Sequence, residues 1–287
     1  MEKKQPNEMQ VKLIDMLKWY HEFCVKNELR YYVVGGTMLG AVRHQGFIPW
    51  DDDIDVGMPR DDYNRFIEIC KGIQDNQYIV EAPTEENPEF QYLYAKIYDK
   101  STTLVEKVRN PIKRGIFIDV FPLDGVGATE EEARKNYKRI KKLIDFEMMI
   151  VCAIRKERRW YKNLGVLLGR IVSPLFVSER KVNRRINEMC EERSFDKDYF
   201  VGNLMGAWGM KEIMPREYFG EPTKYTFEDI EVYGPEKADL FLTKMYNKYM
   251  ELPPIEKRVT HHDFIEFDVN KPYCEINQDK NDMYIIR

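Results

Sequence analysis

Hydrophobic positions near the N-terminus recur at helical spacing. Val11, Ile14 and Leu17 lie three residues apart, which places them near one face of an amphipathic helix from about Met9 to Leu29. The segment RYYVVGG that follows is predicted to form a short buried strand ending at a glycine pair. A second short helix, TMLGAVRH, is expected next, with its first residue as the N-cap.

Polar and apolar residues then alternate with a period of two. In DDDIDVGM, Asp53 and Asp55 are each followed by an aliphatic residue, a pattern that predicts a strand. Pro59 is expected in the first turn of the next helix, PRDDYNRFIEICKGI. Further strands are predicted at QYIVEA, QYLYAKIYD, TTLVEKV and GIFIDVF, after which the turn-rich PLDGVGATEEE is expected to begin a new region.

The remaining chain is first helical and then mixed. The pattern from Glu130 onward is helical and highly charged, and the final third is mixed and aromatic. We therefore expect an α/β (α+β) protein with three parts. These are a mixed sheet core in residues 1–129, a basic helical region in residues 130–200, and a C-terminal region in residues 201–287 that packs on the core.

Composition indicates a folded protein of the cytoplasm. The chain has 287 residues, of which 43% are hydrophobic and 13% aromatic, too many for an intrinsically disordered chain. Its 5 cysteines lie far apart without a CxxC pair, so neither a disulfide framework nor a zinc ribbon is indicated. We expect no secretory signal, and no membrane span, because Arg170 interrupts the longest apolar stretch.

The net charge of -4 is the sum of two unlike parts. Between Arg134 and Arg185, 16 Lys and Arg stand against 4 Asp and Glu, so this segment carries +12 and the other 235 residues carry -16. The basic segment is either a solvated helical face that balances an acidic neighbour or a surface that contacts anionic membrane. The acidic remainder and the missing RNA-binding motifs argue against a nucleic-acid partner.

The acidic run at 51–55 is the sharpest candidate for chemistry. On a strand, Asp53 and Asp55 project from the same face, with Asp51 as a further member. Carboxylates this close repel each other, and a divalent cation is the simplest way to neutralise them. Mg²⁺, or Mn²⁺ in its place, is the expected ion. An acidic solvated loop is the alternative interpretation.

Two further patterns favour a metal and phosphate site. Gly35 and Gly36 lie between the predicted strand and a helix start at Thr37, so a phosphate can approach bare amide groups at the positive helix end. Asp119 is a single acid within the apolar FIDVF segment, and a buried carboxylate needs a partner. A hydrogen bond to a backbone amide or to an arginine is the alternative for Asp119.

These three patterns together resemble a known superfamily. The glycine pair, the paired acids and the third acid form hG[GS]…Dx[DE]…h[DE]h, which resembles the nucleotidyltransferases. The block YYVVGGTMLGAVRHQGFIPWDDDIDVGMPRDDY closely resembles the signature of the LicD family, the phosphorylcholine transferases related to fukutin. Matches at KIYDKST, GIFIDVFPLDG and YMELPPIEKRVTHH extend the resemblance over most of the chain.

The resemblance implies a fold and an activity. A nucleotidyltransferase-like core would transfer phosphocholine from CDP-choline to a sugar of a cell-surface glycan, such as lipopolysaccharide or teichoic acid, or its lipid-linked precursor, and release CMP. Mg²⁺ on Asp53 and Asp55 would bridge pyrophosphate oxygens. Asp119 would complete the metal site or accept the proton of the acceptor hydroxyl. The enzyme would work in the cytoplasm, with peripheral contact at the inner face of the membrane.

Two alternatives stay open. The same fold can use another CDP-linked donor, such as CDP-ribitol or CDP-glycerol, or it can serve as a non-catalytic module that binds glycan or nucleotide. The presence of all three acids favours an enzyme.

Basic and aromatic residues near the matched block are the substrate-binding candidates. Arg43, His44 and Lys96 would hold phosphate oxygens, with ordinary surface charge as the alternative. A choline ammonium cannot donate a hydrogen bond, so it would lie against aromatic faces. Trp50 is the first candidate for this role, and His261 for a phosphate or acceptor contact. The other aromatic candidates are Tyr92, Tyr94 and Phe121.

Overall fold

The computed structural model describes residues 5–73, 77–84, 87, 90–107, 111–151, 160–161, 164, 167, 179–260 and 264–273. The helices formed by these residues are α1 (Glu8–Lys26), α2 (Gly35–His44), α3 (Arg60–Lys71), α4 (Glu130–Val151), α5 (Glu179–Glu191) and α6 (Ala238–Tyr246). The strands are β1 (Tyr32–Val33), β2 (Asp55–Pro59), β3 (Tyr78–Glu81), β4 (Ala95–Asp99), β5 (Thr103–Glu106), β6 (Ile112–Arg114), β7 (Phe117–Gly127), β8 (Phe200–Gly202), β9 (Ile213–Pro215), β10 (Thr223–Phe227), β11 (Ile230–Gly234) and β12 (Phe264–Asp268).

A mixed sheet forms the centre of the molecule. Its strand order is β1-β2-β7-β4-β3, in which only β2 and β7 run parallel and the other neighbours are antiparallel. The far end of β7 pairs with β8, which in turn pairs with β9. Strands β10 and β11 form a hairpin, and β12, β5 and β6 form a small third sheet. The predicted α+β class is confirmed.

Helix α1 buries two of the three residues that its hydrophobic spacing places on one face. Ile14 and Leu17 are buried, whereas Val11 is exposed. The helix begins with a capping box in which the Asn7 side chain accepts from the Gln10 amide (2.9 Å) and the Gln10 side chain accepts from the Asn7 amide (3.0 Å). The Gln10 side-chain amide donates at the same time to the Asp51 carbonyl (2.9 Å), so this helix start holds the acidic segment.

Several element boundaries differ from the sequence-based prediction. Helix α2 starts at Gly35, with Val34 as its N-cap residue, so the prediction that Thr37 caps the helix is wrong. The Thr37 hydroxyl instead accepts from the Asp55 amide (2.9 Å). Strand β2 begins only at Asp55, so the acidic residues before it lie in a loop. Helix α3 begins directly after Pro59, close to the predicted start.

Strand β7 continues through the segment that was expected to be a turn. It runs to Gly127 and is buried throughout. A Cβ at Gly125 would lie 2.4 Å from the Ser194 carbonyl oxygen, so the glycine permits close packing rather than a turn. Asp124 accepts two hydrogen bonds from Arg60 (2.7 and 2.8 Å). The turn-forming residue types therefore serve buried contacts here, and their usual turn preference is overridden.

The basic region forms helices α4 and α5, and its described residues after Glu191 form turns that lead into β8. Helix α4 packs against α5 and against β7, and a second apolar cluster forms where these helices meet the β8 and β9 strands. Residues 152–159 and most of 162–178 lie outside the described residues. None of the helices in the described ranges combines the length and hydrophobicity that a membrane crossing needs.

Candidate active site

Asp55, Asp119 and Lys96 lie side by side across the central sheet. Asp55 of β2 is in register with Asp119 of β7, and Asp119 is in register with Lys96 of β4. Directly paired residues project from the same face of a sheet, so their side chains are neighbours. The sheet thus places two carboxylates and one ammonium in a row.

The acidic loop before β2 adds three carboxylates. Single carboxylate oxygens of Asp51, Asp52 and Asp53 lie within 4.8 Å of one another. The Asp51 amide donates to the Ile48 carbonyl (2.9 Å), and the Asp51 carbonyl accepts from Gln10. Because these bonds hold the loop outside the sheet, the predicted strand position of Asp53 beside Asp55 is wrong. The two carboxylates still interact electrostatically.

The glycine pair lies directly against the carboxylates. Gly35 has a φ of +55°, and a Cβ on it would stand 2.9 Å from an Asp55 carboxylate oxygen. A Cβ on Gly36 would stand 2.7 Å from an Asp51 carboxylate oxygen. Both residues open helix α2, whose N-terminal end carries a partial positive charge. Because glycine has no side chain, the carboxylates of Asp55 and Asp51 can approach the positive end of the helix.

The electrostatics of Asp55 indicate a site suited to a cation. Burial raises the pKa of the Asp55 carboxyl well above its ordinary value, and the charges of Asp53, Asp119, Asp51 and Glu212 raise it further. Carboxylate oxygens are the ligands that Mg²⁺ and Mn²⁺ prefer. The donor set on this side of the sheet thus fits a hard divalent ion.

Lys96 is enclosed inside the protein. Its Nζ lies 2.9 Å from Asp119 Oδ1 and 3.7 Å from Glu106 Oε2, with only 2% of the side chain exposed. The same Nζ lies 3.3 Å from the ring centre of Phe117 and 4.3 Å from that of Tyr92. The predicted contact of Lys96 with phosphate stays a prediction, and the structure gives it a different partner in Asp119.

Two of the aromatic candidates for choline already face the lysine. Besides Tyr92, the ring of Tyr94 lies 5.8 Å from Lys96 Nζ. The Tyr94 hydroxyl donates to Asp119 Oδ2 at 3.4 Å, and its ring lies 4.2 Å from that of Phe121. The rings of Tyr92 and Tyr94 therefore lie against the Lys96 ammonium.

Arg43 and His44 lie at the other end of α2. Arg43 Nε donates to His44 Nε2 (2.9 Å), and its Nη1 donates to the Tyr249 carbonyl (2.7 Å). Burial lowers the pKa of Arg43, and nearby Arg258 lowers it further, while Tyr246 and Asp51 raise it. The guanidinium therefore lies within electrostatic range of the acidic loop.

Arg258 is a site residue that the sequence analysis did not single out. Its guanidinium carbon lies 5.6 Å from the ring centre of Trp50, and its Nε donates to the Pro253 carbonyl (2.8 Å). The signal was present, because Arg258 belongs to the YMELPPIEKRVTHH block. Two residues later the Thr260 hydroxyl donates to Asp52, so this C-terminal block contacts the acidic loop. His261 lies outside the described residues.

Glu212 and Tyr246 are further site residues without a clear sequence signal. Glu212 accepts from the Trp208 amide (2.8 Å) and from the Asn203 side chain, yet burial raises the pKa of Glu212 from 4.5 to about 7. Burial also raises the pKa of Tyr246, and the carboxylates of Asp55 and Glu212 raise it further. Both residues belong to the C-terminal part of the chain and lie within electrostatic range of the carboxylate group, by which we mean the side chains of Asp51, Asp53, Asp55 and Asp119 together.

We expect a Glu212→Gln variant to remove part of the pH dependence of stability. The pKa of Glu212 is higher in the folded chain than its ordinary 4.5. The stability that protonated Glu212 contributes to the fold is therefore fully present below pH 4.5 and is lost as the pH rises through about 7. The free energy of unfolding of the wild type should therefore fall relative to the variant over this range, by about 3 kcal/mol at most. Urea unfolding of both proteins in EDTA at several pH values between 4.5 and 8 measures this difference. Parallel curves would contradict the prediction.

The part of the chain that holds most of the site matches a known domain family. Residues 28–148 match the LicD family, described as the LicD/FKTN/FKRP nucleotidyltransferase domain. This range contains the glycine pair, the acidic loop, Lys96 and Asp119. The expected resemblance to the LicD family is confirmed over this range.

Comparison with characterised proteins extends this match over nearly the whole chain. The lipopolysaccharide cholinephosphotransferase LicD of Haemophilus influenzae is 29% identical over 266 residues, which are 91% of this chain and 97% of the relative. The ribitol 5-phosphate transferases FKRP of mouse and human are 50% identical over 34 residues, which are 12% of this chain and 7% of theirs. The chain is accordingly similar to a phosphotransferase over nearly its whole length.

Proposed function

We propose that the chain transfers phosphocholine from CDP-choline to a sugar hydroxyl of a cell-surface glycan or its lipid-linked precursor. The observation that carries this proposal is the convergence of Asp51, Asp53, Asp55 and Asp119 beside the N-terminal end of α2. A cholinephosphotransferase that matches 91% of the chain supports choline as the transferred alcohol.

The bonds exchanged in this transfer can be stated. The acceptor oxygen attacks the phosphorus atom that carries choline, the bond from this phosphorus to the bridging oxygen of the pyrophosphate breaks, and CMP leaves. The hydroxyl proton must pass to a base, and Asp119 is the candidate on β7. In phosphoryl transfer the protein acts mainly by positioning the groups and stabilising their charge.

The carboxylates are suited to hold the metal cofactor. We propose that Asp53 and Asp55 hold Mg²⁺, or Mn²⁺ in its place, with Asp51 and Asp119 as further ligands. When bound, this ion would neutralise negative charge on the diphosphate. Lys96 compensates the charge of Asp119 from within the fold.

Arginine side chains are suited to bind the phosphates. Arg43 lies within electrostatic range of Arg258 and of Asp51 in the acidic loop, and guanidinium groups favour phosphate because they offer several donors in one plane. His44 is held by Arg43, so we assign it a positioning role rather than a direct phosphate contact.

The donor alcohol is the main alternative to test. The short match to ribitol 5-phosphate transferases favours CDP-ribitol as a second candidate donor. We expect CMP release with CDP-choline, a lipopolysaccharide acceptor and Mg²⁺, and no release when acceptor is omitted or EDTA is added. Chromatographic measurement of CMP with CDP-choline, CDP-ribitol and CDP-glycerol in parallel separates the candidates. Faster CMP release from either of the other two donors would reject choline.

The location of the reaction stays a prediction. A lipid-linked acceptor would be reached by peripheral contact of the basic helical region with anionic membrane at the inner face of the cell. Co-sedimentation with anionic and with neutral vesicles would test this contact, and equal binding to both would contradict it.

A further inference from the structure

Trp208 and Tyr246 form an aromatic pair at the border of the carboxylate group. Their ring centres lie 5.2 Å apart and their planes meet at 82°. Trp208 is 51% exposed, whereas Tyr246 is partly buried at the end of α6. The indole of Trp208 is therefore open to solvent, whereas the phenol ring of Tyr246 lies deeper in the protein.

Acidic side chains lie near both members of this aromatic pair. The backbone amide of Trp208 donates to Glu212 Oε1 (2.8 Å), so this carboxylate lies beside the backbone from which the indole projects. A Cβ at Gly206 would lie 2.0 Å from Glu212 Oε2, so the 203–208 loop encloses this carboxylate closely. The Tyr246 hydroxyl lies within electrostatic range of Asp55, Asp51 and Asp53. A cation beside the two rings would be attracted from both sides.

The ammonium of Lys211 lies over the Trp208 ring. Lys211 Nζ lies 5.3 Å from the Trp208 ring centre, and the Lys211 side chain is exposed. This differs from the rings around Lys96, whose ammonium is buried and held by Asp119. An exposed ammonium can be replaced by a ligand at little cost, whereas the buried ammonium of Lys96 cannot.

We propose that Trp208, Tyr246 and Glu212 bind the quaternary ammonium group of the donor. This inference rests on the proposed phosphocholine transfer and locates the part of the site that selects choline. A quaternary ammonium has no N–H to donate, so aromatic faces and a nearby carboxylate are the groups that recognise it. The donor phosphates would then lie at the carboxylate group and its metal, with the ammonium displacing Lys211 from the indole face.

Calorimetric titration of CDP-choline and of CMP measures the contribution of the indole. We expect Trp208→Leu to weaken CDP-choline binding about tenfold and to leave CMP binding unchanged, because only CDP-choline carries the ammonium. Trp208→Phe should bind CDP-choline more tightly than Trp208→Leu does, because it keeps an aromatic ring. Tyr199→Leu is the matched control, since Tyr199 is also 51% exposed and its ring packs on Phe200, with ring centres 5.0 Å apart.

Lys211→Gln tests the displacement of the lysine. Removal of the competing ammonium should strengthen CDP-choline binding several-fold and leave CMP binding unchanged. Weaker binding of both ligands would mean that Lys211 contacts the nucleotide or its phosphates, and would overturn the proposed displacement.

A neutral analogue completes the experiment. In the CDP ester of 3,3-dimethylbutanol a carbon replaces the choline nitrogen, so shape is kept and charge is lost. The wild type should bind this analogue about tenfold less tightly than CDP-choline, and Trp208→Leu should reduce that preference. If the wild type prefers CDP-choline and the variant keeps the full preference, the subsite is wrong while the proposed function stands. If the wild type binds CDP-choline no better than the analogue and CDP-ribitol, the subsite and the choline donor are both rejected.

Discussion

An Asp55→Asn variant should lose transfer activity and gain stability in the absence of metal. Asp55 lies under the electrostatic influence of Asp53, Asp119, Asp51 and Glu212. The neutral amide keeps the side-chain shape, so the backbone hydrogen bond to Thr37 is retained and only the repulsion is removed. We expect the free energy of unfolding in EDTA to rise by about 1 to 4 kcal/mol, the range for two unit charges roughly 4 Å apart between bulk water and a protein surface.

Activity should change in the opposite direction. Loss of a residue that hydrogen-bonds to a metal ligand typically lowers metal affinity or activity about 10- to 100-fold. Removal of a proposed ligand itself should therefore lower the rate of CMP release by at least about a hundredfold. Added Mg²⁺ should raise the melting temperature of the wild type through preferential binding to the folded state, and the variant should respond much less.

Asp61→Asn is the matched control for this experiment. Asp61 is an exposed residue in the first turn of α3, so its replacement should change neither the response to Mg²⁺ nor CMP release. A variant Asp55→Asn protein that is less stable than the wild type in EDTA would contradict the repulsion argument. Wild-type CMP release from this variant would reject the metal site.

The second large effect is expected from Lys96→Met. This change leaves Asp119, which is 7% exposed, without the ammonium at 2.9 Å and also removes the cation from Glu106. Removing one partner of a buried ion pair typically costs about 3 to 5 kcal/mol, because the remaining charge is left in a poorly solvating environment. Urea unfolding in EDTA measures this loss.

A surface ion pair of similar length provides the control. Lys224 Nζ lies 2.8 Å from Glu231 on the exposed hairpin of β10 and β11, and Lys224→Met should change the free energy of unfolding very little, because solvent screens exposed ion pairs. Combining Lys96→Met with Asp119→Asn should recover part of the loss, since the unpaired charge is then absent. A loss for Lys96→Met as small as the Lys224→Met loss would show that the enclosed pair contributes little to stability.

Local patterns predicted the parts of the site that are close in sequence. The glycine pair between a strand and a helix, the acidic run and the single acid within FIDVF all follow from residue type and spacing. The structure brings these parts together because β2 and β7 pair in parallel with Asp55 opposite Asp119. The roles assigned to them remain predictions, but their proximity follows from the sheet.

The parts that were missed depend on tertiary contacts. Nothing in the sequence around Lys96 indicates that β4 pairs with β7 in the register that faces it to Asp119. Glu212 is an ordinary charged residue in sequence, and it becomes a site residue only because the 203–208 loop closes over it. The turn residues of PLDGVG form a strand because Arg60 and Ser194 pack against them.

The acidic loop is held by two residues that lie far from it in sequence. Gln10, which is 41 positions away, binds the Asp51 carbonyl, and Thr260, which is 208 positions away, binds the Asp52 side chain. Contacts between distant residues form late, because the intervening chain must first be ordered. During synthesis on the ribosome, the loop can therefore adopt its final shape only after nearly the whole chain has emerged, so the nascent protein holds no complete site for a metal or nucleotide.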